Sequence, residues 1–413
     1  MSRSMYQTVL KDPFPDEMEI SFGSGSSLQK LQYRKVTWEV EGERQGLRYG
    51  ENPDQPAVLY RPVNGNLVLG DVQQISPGNG LASDAELLQS GKHPGKINIT
   101  DTDAALNILR YFTAKPACVI VKHNNPSGVA LGTSLADAYR RALEADQIAA
   151  FGGVIALNGE VDPETAELIA GYYAEVVVAP EFSPGALKVF SRKKNMRVLR
   201  IARMDNLQNY VGTRFVEFKS LIDGGIVAQW SYQPLQLPPD TLVPATATHG
   251  DTEYRIDRAP TEAEKRDMRF GWLVESGVTS NSVIYVKDEQ TVAIGTGEQD
   301  RVGVARIARD KAYWKRADQI ARENTGRGIE EIQDPAEQAP FLAAAGEEKG
   351  GLPGSVMVSD AFFPFRDGVE VGLREGVAAV LQPGGSLRDH EVIQGCNEYG
   401  ATMVFTGQRS FRH

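Results

Sequence analysis

The sequence predicts an α/β fold built from two related lobes, and three observations support this prediction. Short apolar runs that resemble strands buried on both faces alternate with helical segments over most of the chain. The second half repeats the order of the first half. The chain has 413 residues, which is more than one hydrophobic core usually accommodates.

Strand and helix signals alternate most clearly in the first half. Three apolar runs without polar alternation predict strands buried on both faces: residues 117–121, 152–157 and 176–180. Helical spacing occupies residues 101–112 and 134–145. Asp162 followed by Pro163 predicts another helix, because aspartate suits the N-cap and proline the first helical position. In the second half, Thr261 and Glu264 form a capping box before a long helix.

The second half repeats this order. Residues 129–133, Val-Ala-Leu-Gly-Thr, match residues 292–296, Val-Ala-Ile-Gly-Thr, and each stretch follows a predicted strand and precedes a helix. We interpret the pattern as a duplicated α/β lobe. The predicted organisation is an N-terminal extension, a first lobe and a second lobe with a polar insertion near 312–353: residues 1–46, 47–245 and 246–413.

Composition and charge exclude several classes of protein. The net charge of -10 argues against a nucleic-acid surface, which needs a clustered basic face. No apolar run is long enough to span a bilayer, and the first residues do not resemble a secretory leader. Cys118 and Cys396 form neither a disulfide framework nor a paired metal motif. We therefore expect a cytoplasmic protein that binds neither nucleic acid nor membrane.

The strongest chemical signal is the segment 121–128, Val-Lys-His-Asn-Asn-Pro-Ser-Gly, where polar side chains emerge directly from a buried strand. Ligands of open α/β sheets bind at the carboxyl ends of strands. His123 suits proton transfer near neutral pH, and the Lys122 ammonium can stabilise a developing anion. Composition alone favours a simpler interpretation, in which His123 is a hydrogen-bonded structural residue at the strand end and Lys122 is solvated.

Four further segments are candidates for a site. Asn281 precedes a predicted strand, where it could hydrogen-bond an oxyanion or form an Asx-type turn. Arg48 and Tyr49 combine a guanidinium suited to phosphate with an aromatic ring. The aromatic-rich segment 359–367 either packs in the core or sandwiches a flat heterocycle. The basic, aromatic C-terminus at 406–413 directly follows a buried strand, which indicates docking rather than fraying.

Several nucleotide and metal chemistries lack their motifs. The chain has neither a Walker-type loop nor a dinucleotide fingerprint after its first strands. Its histidines are scattered, and neither cysteine belongs to a Pro-Cys-x-x-Cys pair, so zinc deaminase chemistry has no ligands.

Taken together, these segments resemble the aminoimidazole carboxamide ribonucleotide (AICAR) transformylase domain of the bifunctional purine-biosynthesis enzymes. The matching segments occur in the family's order: residues 47–53, 121–128, 151–153, 280–282, 359–367 and 409–413. In that family a cyclohydrolase domain precedes the first of them. Only 46 residues do so here, so we expect the cyclohydrolase to be absent from this chain. A separate inosinate (IMP) cyclohydrolase then becomes a candidate partner.

The resemblance implies two cytidine-deaminase-like α/β lobes without zinc, and a homodimer with active sites built across the interface. It also implies formyl transfer from 10-formyltetrahydrofolate to the 5-amino group of AICAR, which gives the 5-formamido product of purine synthesis. AICAR and a reduced folate are then the small-molecule partners, and no redox cofactor is needed.

The resemblance also assigns roles to residues. His123 relays the proton of the attacking amine, Lys122 assists the transfer and stabilises charge, and Asn281 positions the formyl oxygen. The matching substrate-binding residues are Arg48, Tyr49, Gly152, Glu175, Arg301, Phe362, Asp367, Arg409 and His413. Potassium is a candidate cofactor near Ser280, Ser282, Asp360 and the Ser410 carbonyl. Glu175 stands where the family often has Asp, and Val278 stands where some members supply Thr.

The chemistry fits this assignment. The 5-amino group is a poor nucleophile, so catalysis needs proton removal coupled to attack and a stabilised oxyanion. A His–Lys pair opposite an Asn supplies both. Two alternatives remain open: a nucleotide-binding protein of the same fold without turnover, and a hydrolase that releases formate from the folate. A formyl-phosphate donor would leave the same ribonucleotide contacts.

Overall fold

The computed structural model describes residues 12–73 and 78–413. The first eleven residues of the predicted N-terminal extension therefore lie outside the described residues. The chain forms two compact units. The first comprises the described residues up to Asn124 together with Thr133–Tyr139 and Phe151–Gln233. The second comprises Asn125–Gly132, Arg140–Ala150 and Pro234–His413.

Small antiparallel sheets form the N-terminal part of the first unit. Their strands are β1 (Glu17–Phe22), β2 (Gln29–Lys35), β3 (Trp38–Val40), β4 (Glu43–Gln45), β5 (Tyr60–Gly65), β6 (Val68–Leu69) and β7 (Val72–Gln73). β1, β2 and β5 share one sheet, whereas β3 pairs with β4 and β6 pairs with β7. The described part of the predicted extension therefore contains strands as well as loops.

The main sheet of the first unit is mixed. Its strands are β8 (Glu86–Gln89), β9 (Ala117–Lys122), β11 (Val154–Leu157), β12 (Val176–Ala179) and β13 (Arg197–Arg200), with β10 (Asn125–Leu131) lying between β9 and β11 in sequence. β11, β12 and β13 are parallel neighbours, while β9 and β8 pair antiparallel with β11 and β13. The helices are α1 (Lys96–Leu109), α2 (Leu135–Ala145), α3 (Gln147–Ala150), α4 (Pro163–Ala170) and α5 (Pro184–Phe190). A two-stranded ribbon of β14 (Val216–Ser220) and β15 (Ile226–Trp230) follows.

The second unit also contains a mixed sheet. Its strands are β10, β18 (Val283–Lys287), β19 (Gln290–Gly295), β20 (Val356–Ser359), β21 (Ala379–Gln382) and β22 (Thr402–Phe405), and β16 (Thr246–His249) pairs with β17 (Thr252–Arg255). β20, β21 and β22 are parallel neighbours, and β18 pairs antiparallel with both β19 and β20. The helices are α6 (Glu262–Glu275), α7 (Arg301–Thr325), α8 (Pro335–Glu347), α9 (Arg366–Leu373) and α10 (Asp389–Glu398). Side chains of α7, α9, α10 and the strands form one apolar core.

These elements confirm the prediction of an α/β fold, and the sheets are mixed. The three predicted strands of the first half are β9, β11 and β12, and every residue of β11 and β12 is buried. The Asp162 carboxylate accepts the Thr165 N–H at the start of α4, as the cap prediction requires. Thr261 and Glu264 form the predicted capping box of α6. The helix predicted from residue 101 begins earlier, at Lys96.

Both units have the same order of elements. In each, a 14-residue helix (α1 or α6) precedes a central strand (β9 or β18). That strand pairs antiparallel with the first of three parallel strands, which are β11, β12 and β13 in the first unit and β20, β21 and β22 in the second. A short helix stands between each pair of these parallel strands along the chain.

The region predicted as an insertion, near residues 312–353, is mostly helical. It contains the end of α7, a 3-10 turn at Ile329–Glu331 and α8. Its apolar side chains form a small core of their own: Ala317, Ile320, Ala321, Ile329, Ile332 and Ala345. Within residues 12–73 and 78–413, no helix is both long and apolar enough to cross a membrane.

Candidate active site

The turn after β9 fixes the backbone of His123. Both His123 and Asn124 have left-handed backbone conformations, with φ of 54° and 60°. This conformation costs a non-glycine residue about 1–2 kcal/mol. The Asp101 carboxylate of α1 accepts the N–H groups of His123 at 3.2 Å and of Asn124 at 2.7 Å, which offsets that cost. The imidazole therefore leaves the strand end from a defined position.

Asp101 is buried beneath this turn. Burial raises the pKa of its carboxyl group, and the two N–H bonds from Asn124 and His123 oppose the rise. Both carboxylate oxygens are used by the turn, so Asp101 acts on the backbone of the site. Asp101 therefore positions the backbone of His123.

A cavity of about 410 Å³ opens beside the turn within the first unit. It brings together six of the residues that the sequence predicted for the site: Lys122, His123, Arg48, Tyr49, Gly152 and Glu175. Further lining residues are Lys92, Gly95, Ile97, Asn98, Asp101, Val154, Tyr173, Asn195 and Arg197. A volume of this size accommodates a small organic ligand.

Arg48 and Tyr49 lie against the start of α1. The Arg48 N–H donates to the Pro94 carbonyl at 3.1 Å, and the Lys96 N–H donates to the Tyr49 carbonyl at 3.0 Å. The Arg48 guanidinium lies 4.4 Å from the Tyr49 ring centroid and donates to its hydroxyl. Its Nε is buried without a hydrogen-bond partner among the described residues. A guanidinium held in this way is suited to a phosphate or carboxylate ligand.

Glu175 faces the cavity between Asn98 and Arg197. The Asn98 amide donates to Glu175 Oε2 at 3.1 Å, and an Arg197 nitrogen lies 3.8 Å from the same oxygen. Arg197 is buried, and its burial lowers the pKa of the guanidinium. The Glu175 carboxylate thus has a fixed direction and remains able to accept hydrogen bonds from a ligand.

Gly152 and Lys122 also line the cavity beside His123. Gly152 has φ of +75°, and a Cβ there would lie 3.4 Å from the Tyr173 ring. Its N–H donates to the Tyr173 carbonyl at 2.8 Å. The Lys122 ammonium donates to the Phe151 carbonyl at 2.7 Å, which holds the cation at the end of β9.

His93 is buried behind the cationic side of the cavity. Burial lowers the pKa of its imidazole, and the nearby Arg48 and Arg197 lower it further. The lowered pKa favours the neutral imidazole, which adds no third positive charge beside Arg48 and Arg197.

In the second unit, Asn281 belongs to a polar network. Its Oδ1 accepts from Arg301 Nη2 at 2.8 Å, and its Nδ2 donates to the Gln299 carbonyl at 2.9 Å. Arg301 is buried and also donates to the Ser282 carbonyl, the Ser359 hydroxyl and the Asp360 carboxylate. The network fixes the amide orientation, and one N–H of the Asn281 amide is still able to donate to a ligand.

The C-terminus docks beside this network, which confirms the sequence prediction. The Ser280 N–H donates to the Arg412 carbonyl at 2.9 Å, and the Arg412 N–H donates to the Ser280 hydroxyl at 3.1 Å. The Ser410 N–H donates to the Asp360 carbonyl at 2.9 Å. Ser280, Ser282, Asp360 and Ser410 are therefore gathered in one buried region.

Glu275 at the end of α6 lies in the same region and is fully buried. Its Oε1 accepts from the Ser282 hydroxyl at 2.7 Å. Its Oε2 and the Ser410 hydroxyl have no partner among the described residues. Burial, and secondly the Asp360 charge, raise the pKa of Glu275 well above its usual value.

The remaining predicted residues of the second unit lie at its surface. Phe362, Asp367, Arg409 and His413 are all exposed. Phe363, in contrast, is fully buried in the core, so this part of the aromatic segment follows the core-packing alternative. The Arg409 guanidinium lies 4.3 Å from the Phe411 ring centroid.

Comparison with known proteins identifies the family. The sequence model of the AICARFT/IMPCHase bienzyme family matches residues 6–311. The chain belongs to this family. It is 40% identical over 386 residues to the bifunctional purine biosynthesis protein PurH of Magnetococcus marinus, and 42% identical over 372 residues to that of Parvibaculum lavamentivorans. The alignments cover 93% and 90% of this chain but 60% and 59% of the relatives.

Sequence reasoning missed several residues of the cavity beside His123, among them Asn98, Asp101 and Arg197, and it also missed Glu275 in the buried polar region of the second unit. Asp101 had a detectable signal, because Asp267 occupies the same sixth position in α6 as Asp101 does in α1. Arg197 had a weaker one, as a buried arginine at the start of a short strand whose two central residues are apolar. Within the described residues, no group of three or more His, Cys, Asp or Glu side chains is placed to hold a metal ion.

Proposed function

We propose that this chain transfers a formyl group from 10-formyltetrahydrofolate to the 5-amino group of AICAR. The observation that carries the proposal is the cavity beside His123, where Lys122 and His123 meet Arg48, Tyr49 and Glu175. Arg48 supplies a cation for the ribonucleotide phosphate, and Glu175 supplies an acceptor for its N–H or hydroxyl groups. The bifunctional names of the relatives agree with this chemistry.

The proposed reaction needs one proton acceptor and one stabilised oxyanion. The 5-amino nitrogen attacks the formyl carbon, and the His123 imidazole takes the proton that the nitrogen loses. The tetrahedral intermediate then collapses, the bond between the formyl carbon and N10 of the folate breaks, and N10 is protonated. The Lys122 ammonium, held by the Phe151 carbonyl, assists this proton movement and stabilises the negative charge.

Asn281 is proposed to donate its remaining amide N–H to the formyl oxygen. The support is the fixed orientation of the amide between Arg301 and the Gln299 carbonyl. On this view Arg301 acts through Asn281 and Asp360, because its guanidinium is buried in that network. Phe362, Asp367, Arg409 and His413 are proposed as ligand contacts, since their side chains are exposed.

Potassium is proposed as a cofactor of the second unit. The supporting observation is the pair of buried oxygens without partners, on Glu275 and Ser410. Ser280, Ser282, Asp360 and the Ser410 carbonyl would hold the ion, which prefers oxygen ligands. When bound, it would supply positive charge to this carboxylate-rich interior and stabilise the docked C-terminus.

Two duplicated cytidine-deaminase-like lobes are proposed as the architecture, and the equal order of elements in the two units supports them. A homodimer is proposed as the assembly. Its support is the ribbon of β14 and β15, which exposes apolar side chains on both strands: Phe218, Ile226, Val227 and Trp230. An isolated two-stranded ribbon is marginally stable in water, so a partner surface is expected to cover it.

In the deciding experiment, the purified protein is incubated with AICAR and 10-formyltetrahydrofolate, and the release of tetrahydrofolate is measured. The proposal expects release that depends on AICAR and yields the formylated ribonucleotide. Release of formate without AICAR would indicate a hydrolase instead. Binding of AICAR without turnover would indicate a nucleotide-binding protein, and formylation from formyl phosphate alone would replace the folate as donor.

A further inference from the structure

A second cavity, of about 400 Å³, lies in the first unit and shares no lining residue with the cavity beside His123. Its walls come from β5, the 3-10 turn at Ala82–Asp84, α1 and the segment 210–216. Most of the wall is apolar: Leu59, Pro62, Leu81, Ile99, Leu106 and Val216. The cavity therefore offers space and a surface for a compact apolar group.

Arg110, at the end of α1, is the charged group in the depth of this cavity. Its side chain belongs to a residue that is only 7% exposed. Nη1 donates to the Tyr210 carbonyl at 3.1 Å and Nη2 to the Tyr111 hydroxyl at 2.8 Å. Nε is buried without a hydrogen-bond partner among the described residues.

The positive charge of Arg110 is also not balanced by an ion pair within the described residues, although the Asp103 carboxylate lines the same cavity. Among residues 12–73 and 78–413, no carboxylate forms an ion pair with its guanidinium. A buried charge is costly unless it is paired, and a buried donor without an acceptor adds to that cost. An anion bound in the cavity would remove both costs at once.

We propose that this cavity binds a small monocarboxylate with a compact apolar body, such as an aromatic acid. The carboxylate accepts hydrogen bonds from the Arg110 guanidinium, which lines the cavity. The body packs against Ile99, Leu106 and Val216. Asp103, exposed at the rim, disfavours a ligand with a second negative charge near the opening.

Calorimetric titration of the full chain with 2-naphthoate and its neutral analogue 2-naphthamide tests the proposal without any mutation. The expected result is saturable binding of one naphthoate per chain, at least about tenfold tighter than the amide, which is the scale of a charge-assisted hydrogen bond. Equal affinities, or no saturable naphthoate binding at millimolar concentration, would overturn it. His123→Ala should leave the naphthoate affinity unchanged, because the two cavities share no wall.

Two variants locate the site. Arg110→Met should weaken naphthoate at least about tenfold and remove the preference over the amide, while Arg34→Met, an exposed arginine of β2, should change neither. Asn107→Trp fills the cavity from its half-buried polar wall and keeps Arg110. It should abolish binding, so it tests the site even if Arg110→Met does not fold. Unchanged naphthoate affinity in Asn107→Trp would place the ligand elsewhere.

Discussion

His123 combines a reactive side chain with an unusual backbone. Asp101 holds the turn, the Phe151 carbonyl holds Lys122, and Arg48 with Glu175 faces the same cavity. Because Asp101 holds the backbone N–H groups of the turn, and Arg48 and Glu175 belong to other segments, replacing the His123 ring leaves the ligand-binding groups in the chain. This separates proton transfer from binding in an experiment.

The first prediction concerns His123. His123→Ala should lower turnover by about 10²-fold or more, the usual scale for loss of a general base. AICAR affinity should change much less, since Arg48 and Glu175 remain. Steady-state kinetics and direct AICAR titration measure the two effects. His249→Ala, on an exposed strand of the second unit, is the control. Near-normal turnover combined with lost binding would make His123 a binding residue.

Lys122 allows a second prediction about charge and proton transfer. Lys122→Ala should reduce turnover because the cation near the reacting groups is lost. Lys122→Arg keeps the charge, but a guanidinium cannot give up a proton at working pH, so it should not restore turnover if Lys122 relays a proton. The pH profile of kcat in both variants is the measurement. Full rescue by Arg would limit Lys122 to electrostatic stabilisation.

His93 should make the stability of the fold depend on pH. Its folded pKa is lowered below 6.5 by burial, so its contribution to stability is present above 6.5 and is lost as pH falls toward the folded pKa. Between pH 7 and pH 5.5, the wild type should lose more unfolding free energy than His93→Gln, by at most about 1.4 kcal/mol per pH unit. Urea unfolding at both pH values measures the difference, with His249→Gln as the control. Parallel losses in the wild type and His93→Gln would contradict it.

At the scale of elements, the same arrangement occurs twice: a carboxylate in a helix accepts two backbone N–H groups of a turn. Asp101 of α1 accepts the N–H groups of His123 and Asn124, and Asp267 of α6 accepts those of Asp288 and Glu289 at 2.9 and 2.7 Å. All four turn residues have left-handed φ. Only the first turn carries Lys122 and His123. The second turn therefore serves as an internal control for the effect of the carboxylate on structure alone.

The matched variants Asp101→Asn and Asp267→Asn use this control. An Asn side chain presents one oxygen and one NH₂ group, so one turn N–H loses its acceptor at a cost of about 1–3 kcal/mol. Both variants should therefore lose comparable stability in urea unfolding. Only Asp101→Asn should also lower kcat, because it displaces His123. Equal turnover losses in the two variants would show that general destabilisation explains the effect.

Local sequence signals predicted some elements well and failed at others for identifiable reasons. The cap at Asp162 and the capping box at Thr261 are visible because they need particular residues at fixed spacing. β10 was not predicted, because Pro126 and Gly128 are atypical of a strand interior. Gly128 is required by packing instead, since a Cβ there would lie 1.9 Å from the Ala142 carbonyl oxygen. That contact is long-range and leaves no local pattern.

The same limit applies to the site. The Lys122–His123 pair was predictable because the reactive residues are adjacent and follow an apolar strand. Asn98 and Arg197 reach the cavity beside His123 only through tertiary contacts, such as the 3.1 Å hydrogen bond from Asn98 to Glu175. Glu275 likewise reaches the buried polar region of the second unit only through the tertiary fold. Arg110 has no sequence signal at all, because its burial depends on the approach of Tyr210.

At the scale of the whole molecule, the exposed ribbon of β14 and β15 is the feature that a single chain does not explain. Ile226 is 68% exposed, and Val227 and Trp230 of the same strand and Phe218 of β14 are exposed as well. A charge at Ile226 would have little effect on a monomer, since that side chain is mostly in contact with solvent. In a dimer it would be buried without a partner.

Ile226→Glu should therefore dissociate a two-fold dimer of the wild type and lower turnover with it, if the active site needs both chains. Light scattering after size exclusion at micromolar concentration gives the mass, and the tetrahydrofolate-release assay gives the activity. Leu168→Glu on α4 is the matched control, because Leu168 is also an exposed aliphatic residue but lies outside the ribbon. It should remain dimeric and active. A wild-type monomer with full activity would exclude a shared site, whereas a dimeric Ile226→Glu would move the interface away from the ribbon.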